Sequence, residues 1–325
     1  MRDILGHPEL DSFIENHDVI YIRHNMDSTS VVYQKLIAEG IIAVHYGGDL
    51  KEGVDPEILE NHEDPNNYER PGRDAIARLK DYCTKGAVVF ADYSDPDHTP
   101  FPKANVGIVC GSEGEYRYRA KRYYGRDDYP KGFVYKQAGL CNYRTLSYAN
   151  FEQILAIHPR GGTVIHWQKG EKAIKFIFRR ALGLPIDSGL LDVETLFPAQ
   201  QEVLCSEYLR LRAPKKTRLK YMLLPVGRGM KAIDIDGMTE DARLFAQVSF
   251  SRSETEIKEK VKDLQDLAKG YESSKGVQLV YFGPKEKEKL VTQSGPSIEF
   301  ISLEEVFDEM KDLGILDDML GIESV

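Results

Sequence analysis

The chain has 325 residues, an apolar fraction of 42% and a formal net charge of −9. The length predicts two domains rather than one, with enough apolar material for sizeable cores. The acidic balance excludes a protein that coats nucleic acid indiscriminately, because such binding is driven by phosphate neutralisation. It leaves room for a nucleic-acid enzyme, since the local field matters more than the total charge. No window approaches the ~18 uninterrupted apolar residues of a membrane span, so no membrane partner is expected. The opening Met1–Pro8 lacks the apolar core and cleavage site of a signal peptide. Cys83, Cys110, Cys141 and Cys205 lie far apart and form no Cys-x-x-Cys pair, so reduced, buried thiols in a cytoplasmic protein are expected.

In chain order, DVIYIR at Asp18–Arg23 predicts a strand, Ser28–Glu39 a helix and GIIAVHY at Gly40–Tyr46 a second strand. Asp49–Arg73 is polar and rich in Pro, Asn and Asp, which predicts a long surface loop. Gly72–Cys83 has helical spacing, and GAVVFADY at Gly86–Tyr93 is a strand. Asn105–Cys110, Tyr116–Arg119 and Gly132–Gln137 follow as short strands, and Thr163–Trp167 with Ala173–Phe178 as a late hairpin. Many short strands with one or two early helices predict a β-barrel-like domain over 1–185. Residues 186–197 are the expected linker to a second domain over 198–325.

There the pattern predicts a helix over Ala199–Leu211 with Val203, Leu204, Tyr208 and Leu211 on one face. Strands follow at Leu219–Val226, Ala232–Ile235 and Arg243–Phe250, then a charged amphipathic helix at Ser253–Tyr271. Val277–Gly283 and Ile298–Leu303 are further strands, and Glu304–Leu313 closes with a helix. This order predicts a mixed α/β sandwich with a central sheet, so the whole chain reads as α/β (α+β overall).

The most informative stretch is the hairpin Pro225–Gly237, followed by Phe245-Ala-Gln-Val-Ser-Phe250. Neighbouring strands that present Asp234 and Gln247 on one edge can hold a divalent cation. A basic run flanks them: Arg210, Arg212, Lys215, Lys216, Arg218, Lys220 and Arg228, with Lys231. Beside that site it gives a candidate nucleic-acid contact, although charge runs are ordinarily solvated surface. A second basic group gathers from Arg117 to Lys131. In the first half Tyr21, Tyr46, Tyr93 and Trp167 are candidates for a base-sized cage, where aromatics on strands ordinarily build core. His24, His45, His158 and His166 have no metal-ligand spacing and read as satisfied histidines. Gly161-Gly162 and Gly227-Arg-Gly229 match no phosphate-cradling loop, so neither ATP nor NAD chemistry is predicted.

The second half resembles the Mrr-like branch of the PD-(D/E)xK restriction-endonuclease superfamily over roughly Pro198 to Met310, a single-domain length. Asp234-Ile-Asp-Gly237 matches the first part of the signature, and Gln247-Val-Ser249 matches the second except for its lysine. The resemblance implies a restriction-endonuclease-like sandwich in which Asp234, Gln247 and Glu202 bind Mg²⁺ or Mn²⁺. Lys231, three residues before Asp234, is the candidate for the cation that Ser249 lacks. The first half is more weakly similar to PUA- and EVE-like barrels, which bind RNA or read modified bases. That likeness rests on the strand–helix–strand opening, Lys85–Tyr93 and Val106-Gly-Ile-Val109, with Tyr21 where those domains often carry tryptophan.

Two functions follow from these resemblances. One is a metal-dependent endonuclease of restriction or defence type, a hydrolase acting on DNA more than RNA, modification-dependent and dimeric so as to cut both strands. The other is a catalytically degenerate nucleic-acid-binding protein that keeps the nuclease fold as a platform. The bland alternative makes Asp234 and Asp236 solvated carboxylates flanking a turn.

Overall fold

The computed structural model describes residues 4–24, 31–93, 103–110, 116–124, 132–147, 159, 162–168, 171–185, 191–211, 218–225, 232–271, 276–294 and 298–320. The chain divides into two compact units, Met1–Leu190 and Leu191–Val325. Both mix helices with open sheets. Among the described residues no helix is long and apolar enough to cross a membrane.

The first unit runs α1 (His7–Asn16), β1 (Val19–Arg23), α2 (Val31–Glu39), β2 (Ile41–Val44), α3 (Gly72–Lys85), β3 (Ala87–Asp92), β4 (Lys103–Val109), β5 (Arg119–Tyr123), β6 (Phe133–Gly139), β7 (Cys141–Ser147), β8 (Val164–His166) and α4 (Glu171–Ala181). β1 and β3 are continuous apolar runs, buried at every position but Arg23, which is how strands read when both faces are covered. They pair in parallel, Tyr21 opposite Phe90. A parallel pair needs a crossover, and the segment carrying α2, β2 and α3 supplies it. The first sheet has the order β7-β4-β3-β1-β8 and the second, antiparallel sheet β2-β6-β5.

Neither sheet closes, so the barrel expected over 1–185 is not what forms among the described residues. The crossover places helices over the sheet and leaves its ends apart. Three local expectations also change. Ala173–Phe178 belongs to helix α4, not to a strand: Ala173, Ile174, Ile177 and Phe178 are buried at helical spacing. Its Arg179 reaches Asp11 (2.6 Å) and Glu15 (2.8 Å) on α1. The polar stretch 49–73 packs as short 3-10 turns around Tyr68, which is fully buried and bonded to His62 Nδ1 at 2.8 Å. Cys110 and Cys141 form a disulfide with Cα atoms 6.3 Å apart, whereas Cys83 and Cys205 stay free and buried. Their separation of 31 residues hides a pairing that the antiparallel β4/β7 neighbours create.

The second unit runs α5 (Pro198–Leu211), β9 (Tyr221–Pro225), β10 (Ile235–Met238), β11 (Arg243–Val248), α6 (Glu254–Gly270), β12 (Val277–Gly283), α7 (Glu288–Ser294), β13 (Ile298–Ser302), α8 (Leu303–Asp312) and α9 (Ile315–Leu320). Its sheet has the order β13-β12-β11-β10-β9, an antiparallel meander (β9–β11) joined to a parallel half (β11–β13). α6 begins where the Ser253 side chain caps Glu256 N–H, and it buries Ile257, Val261 and Leu264 against Phe245, Leu279 and Tyr281. On α5 the buried face is Gln201, Leu204, Cys205, Tyr208 and Leu209. Val203 and Leu211, expected on that face, are each 52% exposed. The expected linker is packed from Leu191 onward, with Leu191, Val193, Leu196 and Phe197 buried.

One buried charge in the first unit lacks a hydrogen-bond partner. Lys136 on β6 is fully buried, with its Nζ 4.8 Å from the centre of the Tyr68 ring. Burial holds its ammonium down to about 7, against the opposing pull of Asp49. Between that value and the ordinary 10.5 the folded chain binds fewer protons than the unfolded one, so stability falls as pH drops through this window. Lys136→Met is expected to raise the urea midpoint at about pH 7.5 and to flatten the rise in parent stability from about pH 7 to pH 10. Denaturant titrations at both ends of the window check this.

Candidate metal centre

Asp234 lies one residue before β10, where its backbone N–H still donates to Ala246 O at 2.8 Å. That bond holds the residue at the end of β11. Val248 N–H then donates to Asp234 Oδ2 at 2.7 Å, and Gln247 Nε2 donates to the same oxygen. Among the described residues Oδ1 accepts no hydrogen bond. Gln247 follows Phe245 by two positions, so it shares the sheet face that packs against α6. It is 3% exposed, and its carbonyl Oε1 is buried without a partner.

Glu202 sits half-buried on α5, and burial together with the charge of Asp234 pushes its carboxyl up to about 7. One turn further, the buried Cys205 thiol is pushed well above its ordinary range, and the charges of Asp234 and Glu202 add to the effect of burial. These couplings place Glu202 and Asp234 in one electrostatic neighbourhood. Burial raises Asp234 too, with the Val248 N–H and the Lys260 charge opposing.

Lys260 is the residue that the sequence reading missed. It projects from α6 and donates to Ser249 Oγ at 2.9 Å, and it pairs with Glu256 at 3.2 Å. A signal was available: Lys260 interrupts the stripe of Ile257, Val261 and Leu264, the one cation within the helix face that covers the sheet. Tyr281, opposite Gln247 on β12, adds a buried hydroxyl that Ser249 influences. Lys231, the expected substitute cation, lies outside the described residues.

Asp236, two residues from Asp234, is committed elsewhere. It is 3% exposed and takes both arms of Arg243, at 2.6 Å and 2.5 Å. The Arg243 guanidinium lies over Phe245 and Tyr271. Neither aspartate is therefore a solvated turn residue of the bland reading.

The arrangement fits a hard divalent cation. Asp234 Oδ1, Gln247 Oε1 and the Glu202 carboxylate are oxygens from two strand ends and a helix, and none accepts a hydrogen bond among the described residues. Among those residues there is no group of three or more His, Cys, Asp or Glu that could hold a metal ion.

The other candidates fare differently. Arg210 and Arg218 come together through Arg218 Nε and Arg210 O at 3.3 Å, with Arg210 also paired to Glu207 at 3.0 Å. Lys220 is exposed beside them in sequence, while Arg212, Lys215, Lys216 and Arg228 lie outside the described residues. The aromatic cage does not form. Tyr21, Tyr93 and Trp167 are 0%, 1% and 3% exposed, and Tyr21 and Trp167 pack edge-on at 5.9 Å with Phe90 beside both. Tyr93 stacks on His24 instead, and Tyr46 bonds Thr163 Oγ1 at 2.5 Å. Tyr93 belongs to the core cluster against which Tyr46 packs, and Tyr21 and Trp167 do not. His24 is a satisfied histidine, accepting from Ala43 N–H at 2.9 Å and held neutral by burial; His158 lies outside the described residues. Comparison with protein-family models, curated proteins and solved structures finds no match for this chain.

The raised Glu202 carboxyl sets a pH test. Between the ordinary 4.5 and about 7 the folded chain binds more protons than the unfolded chain. The stabilising contribution is therefore full below the lower value and lost as pH rises through the upper one. In chelator, thermal unfolding of the parent is expected to drop relative to Glu202→Gln across this window and to run parallel above it. Mn²⁺ should restore the parent, and not the variant, above about pH 7.

Proposed function

We propose that the second unit is a divalent-cation-dependent phosphodiesterase of the PD-(D/E)xK nuclease type, with Lys260 in place of the lysine absent at Ser249. The observation that carries the reading is the 2.9 Å bond from Lys260 Nζ to Ser249 Oγ. It brings an ammonium from the following helix to the strand position where the resemblance places the lysine. The open oxygens of Asp234, Gln247 and Glu202 support the same reading, as does the order of helix, meander and parallel strands around them.

In this proposal Asp234, Gln247 and Glu202 hold Mg²⁺ or Mn²⁺. When bound, the cation neutralises charge on the phosphate and lowers the pKa of a coordinated water. The remaining work falls to side chains. Val248 N–H holds Asp234 through Oδ2 and leaves Oδ1 to the cation. Lys260 donates a hydrogen bond to the attacking water and offsets charge that grows on the phosphate, held in place by Glu256 and Ser249. Arg210, Arg218 and Lys220 steer the nucleic-acid backbone. The substrate is DNA rather than RNA, the first unit is the recognition domain of a cytoplasmic restriction or defence protein, and pairing of two copies cuts both strands.

A second reading keeps the fold as a binding platform without catalysis. It is favoured by the closure of the polar network, since Gln247 donates to Asp234 and Lys260 is already engaged by Ser249 and Glu256.

The two separate in one assay. Plasmid and RNA, with Mg²⁺ or Mn²⁺, are expected to show nicking of DNA that disappears in Asp234→Ala. Lys260→Met should lower the rate by about 100-fold, the scale for losing one preorganised donor, whereas Lys231→Met leaves it within about threefold. Cleavage that survives Asp234→Ala would sink the site, and binding without cleavage on modified or unmodified DNA would establish the platform. Asp236→Ala has a different signature. Removing the carboxylate that holds the half-buried Arg243 should cost about 1.5 kcal/mol of stability in urea titrations.

A further inference from the structure

We propose that the first unit carries a second ligand site, a pocket for a nucleoside phosphate lined by β5, β6, the end of α2 and Tyr143 of β7. The proposal is independent of the metal centre and of the aromatic residues first considered for base reading. A cavity of about 400 Å³ opens there, within the ordinary range of small-molecule sites. Its lining includes Arg119 and Lys121 of β5, Gln137 of β6, Glu39 at the end of α2, and the rings of Tyr116 and Tyr143.

The pleat explains why these groups converge. Arg119 and Lys121 are two apart on one strand, and Arg119 stands directly opposite Gln137. Two cations side by side on a sheet repel each other unless an anion answers them. Among the described residues neither forms an ion pair, and Glu39 is drawn toward Lys35 at 3.8 Å. Lys121 Nζ instead lies 5.2 Å from the Tyr123 ring centre. The Tyr123 hydroxyl donates to Gln137 Oε1 at 2.7 Å, which leaves the amide N–H₂ of this buried glutamine as the donor.

The donor set suits a phosphate: a guanidinium for two oxygens, an ammonium for a third. A bare anion would need no more than that. The rings of Tyr116 and Tyr143 give the lining an aromatic component against which a base can pack, and Tyr143 is held in place by its hydroxyl bond to Ala38 O at 2.8 Å. Glu39 and Gln137 then provide one acceptor and one donor for the polar edge of the base or the sugar hydroxyls. The ligand is thus a phosphate joined to an aromatic ring, met either as a free nucleotide or as one nucleotide of a single strand.

Calorimetric titration of the full chain with AMP, adenosine and inorganic phosphate tests this, alongside anisotropy of a fluorescein-labelled single-stranded oligonucleotide. AMP is expected to bind more tightly than either of its parts. Arg119→Gln with Lys121→Gln should weaken it at least about tenfold, and Tyr116→Leu should reduce the preference for AMP over phosphate. Circular dichroism melts confirm that the variants fold. Oligonucleotide binding that the double variant abolishes, with no binding of AMP, assigns the source to a strand and supports the site. Phosphate binding as tight as AMP, binding that the double variant leaves unchanged, or no binding of any probe overturns it. Asp234→Asn should leave AMP affinity unaltered, so failure of the metal centre and failure of this pocket are separable.

Discussion

The bond from Val248 N–H to Asp234 Oδ2 decides how the second unit can act. A carboxylate at the end of a hairpin strand would ordinarily turn to solvent. Here the neighbouring strand spends a backbone donor on one oxygen, and Gln247 adds a second donor to the same atom. The other oxygen accepts no hydrogen bond among the described residues, the Gln247 carbonyl is buried without a partner, and the charge of Asp234 is felt at Glu202. Burial of two acids and an unsatisfied carbonyl costs free energy that an apolar core would not incur. Burial first, and the charge of Asp234 second, push the Glu202 carboxyl up.

Lys260 enters this site from a helix, and its place follows from packing. α6 has to cover the β11–β12 face through Ile257, Val261 and Leu264, so the residue three after Ile257 overlooks the end of β11. The strand can then carry a small Ser249, which accepts the lysine hydrogen bond and fixes its direction. A lysine reaching in from a helix is positioned by a whole packed element, whereas one on the strand would rely on its own rotamer. Arg243 and Asp236 have another part: they brace the same meander from within and leave Asp234 without competition for its open oxygen.

The first unit follows a different economy of polar groups. Its buried aromatics build the core, and its fully buried Lys136 lies over the Tyr68 ring. Polar groups without an obvious structural task collect on the three-stranded sheet, where Arg119, Lys121 and Gln137 face a cavity. The side chains with capacity to bind a ligand are therefore strand residues of the smaller sheet, and the rings on β1 and β3 are core.

Much of the architecture was legible in the residues. The apolar runs of β1 and β3 and the amphipathic stripe of α6 each announce a local period, and the tertiary structure keeps them. That Asp234 and Gln247 lie together was legible because short-range strand order brings them side by side. Local periodicity could not show that Arg23-terminated β1 pairs in parallel with β3, which opens the sheets that a barrel would close. Nor could it tell that Cys110 and Cys141 meet, that Tyr93 joins a core cluster to which Tyr21 does not belong, or that α4 is helical although its apolar cluster reads as a strand. All of these depend on contacts between residues far apart in the chain. Lys260 belongs with them. By itself the sequence determined which side chains could do chemistry; the packing of a helix onto a sheet decided that the ammonium of residue 260 stands at position 249.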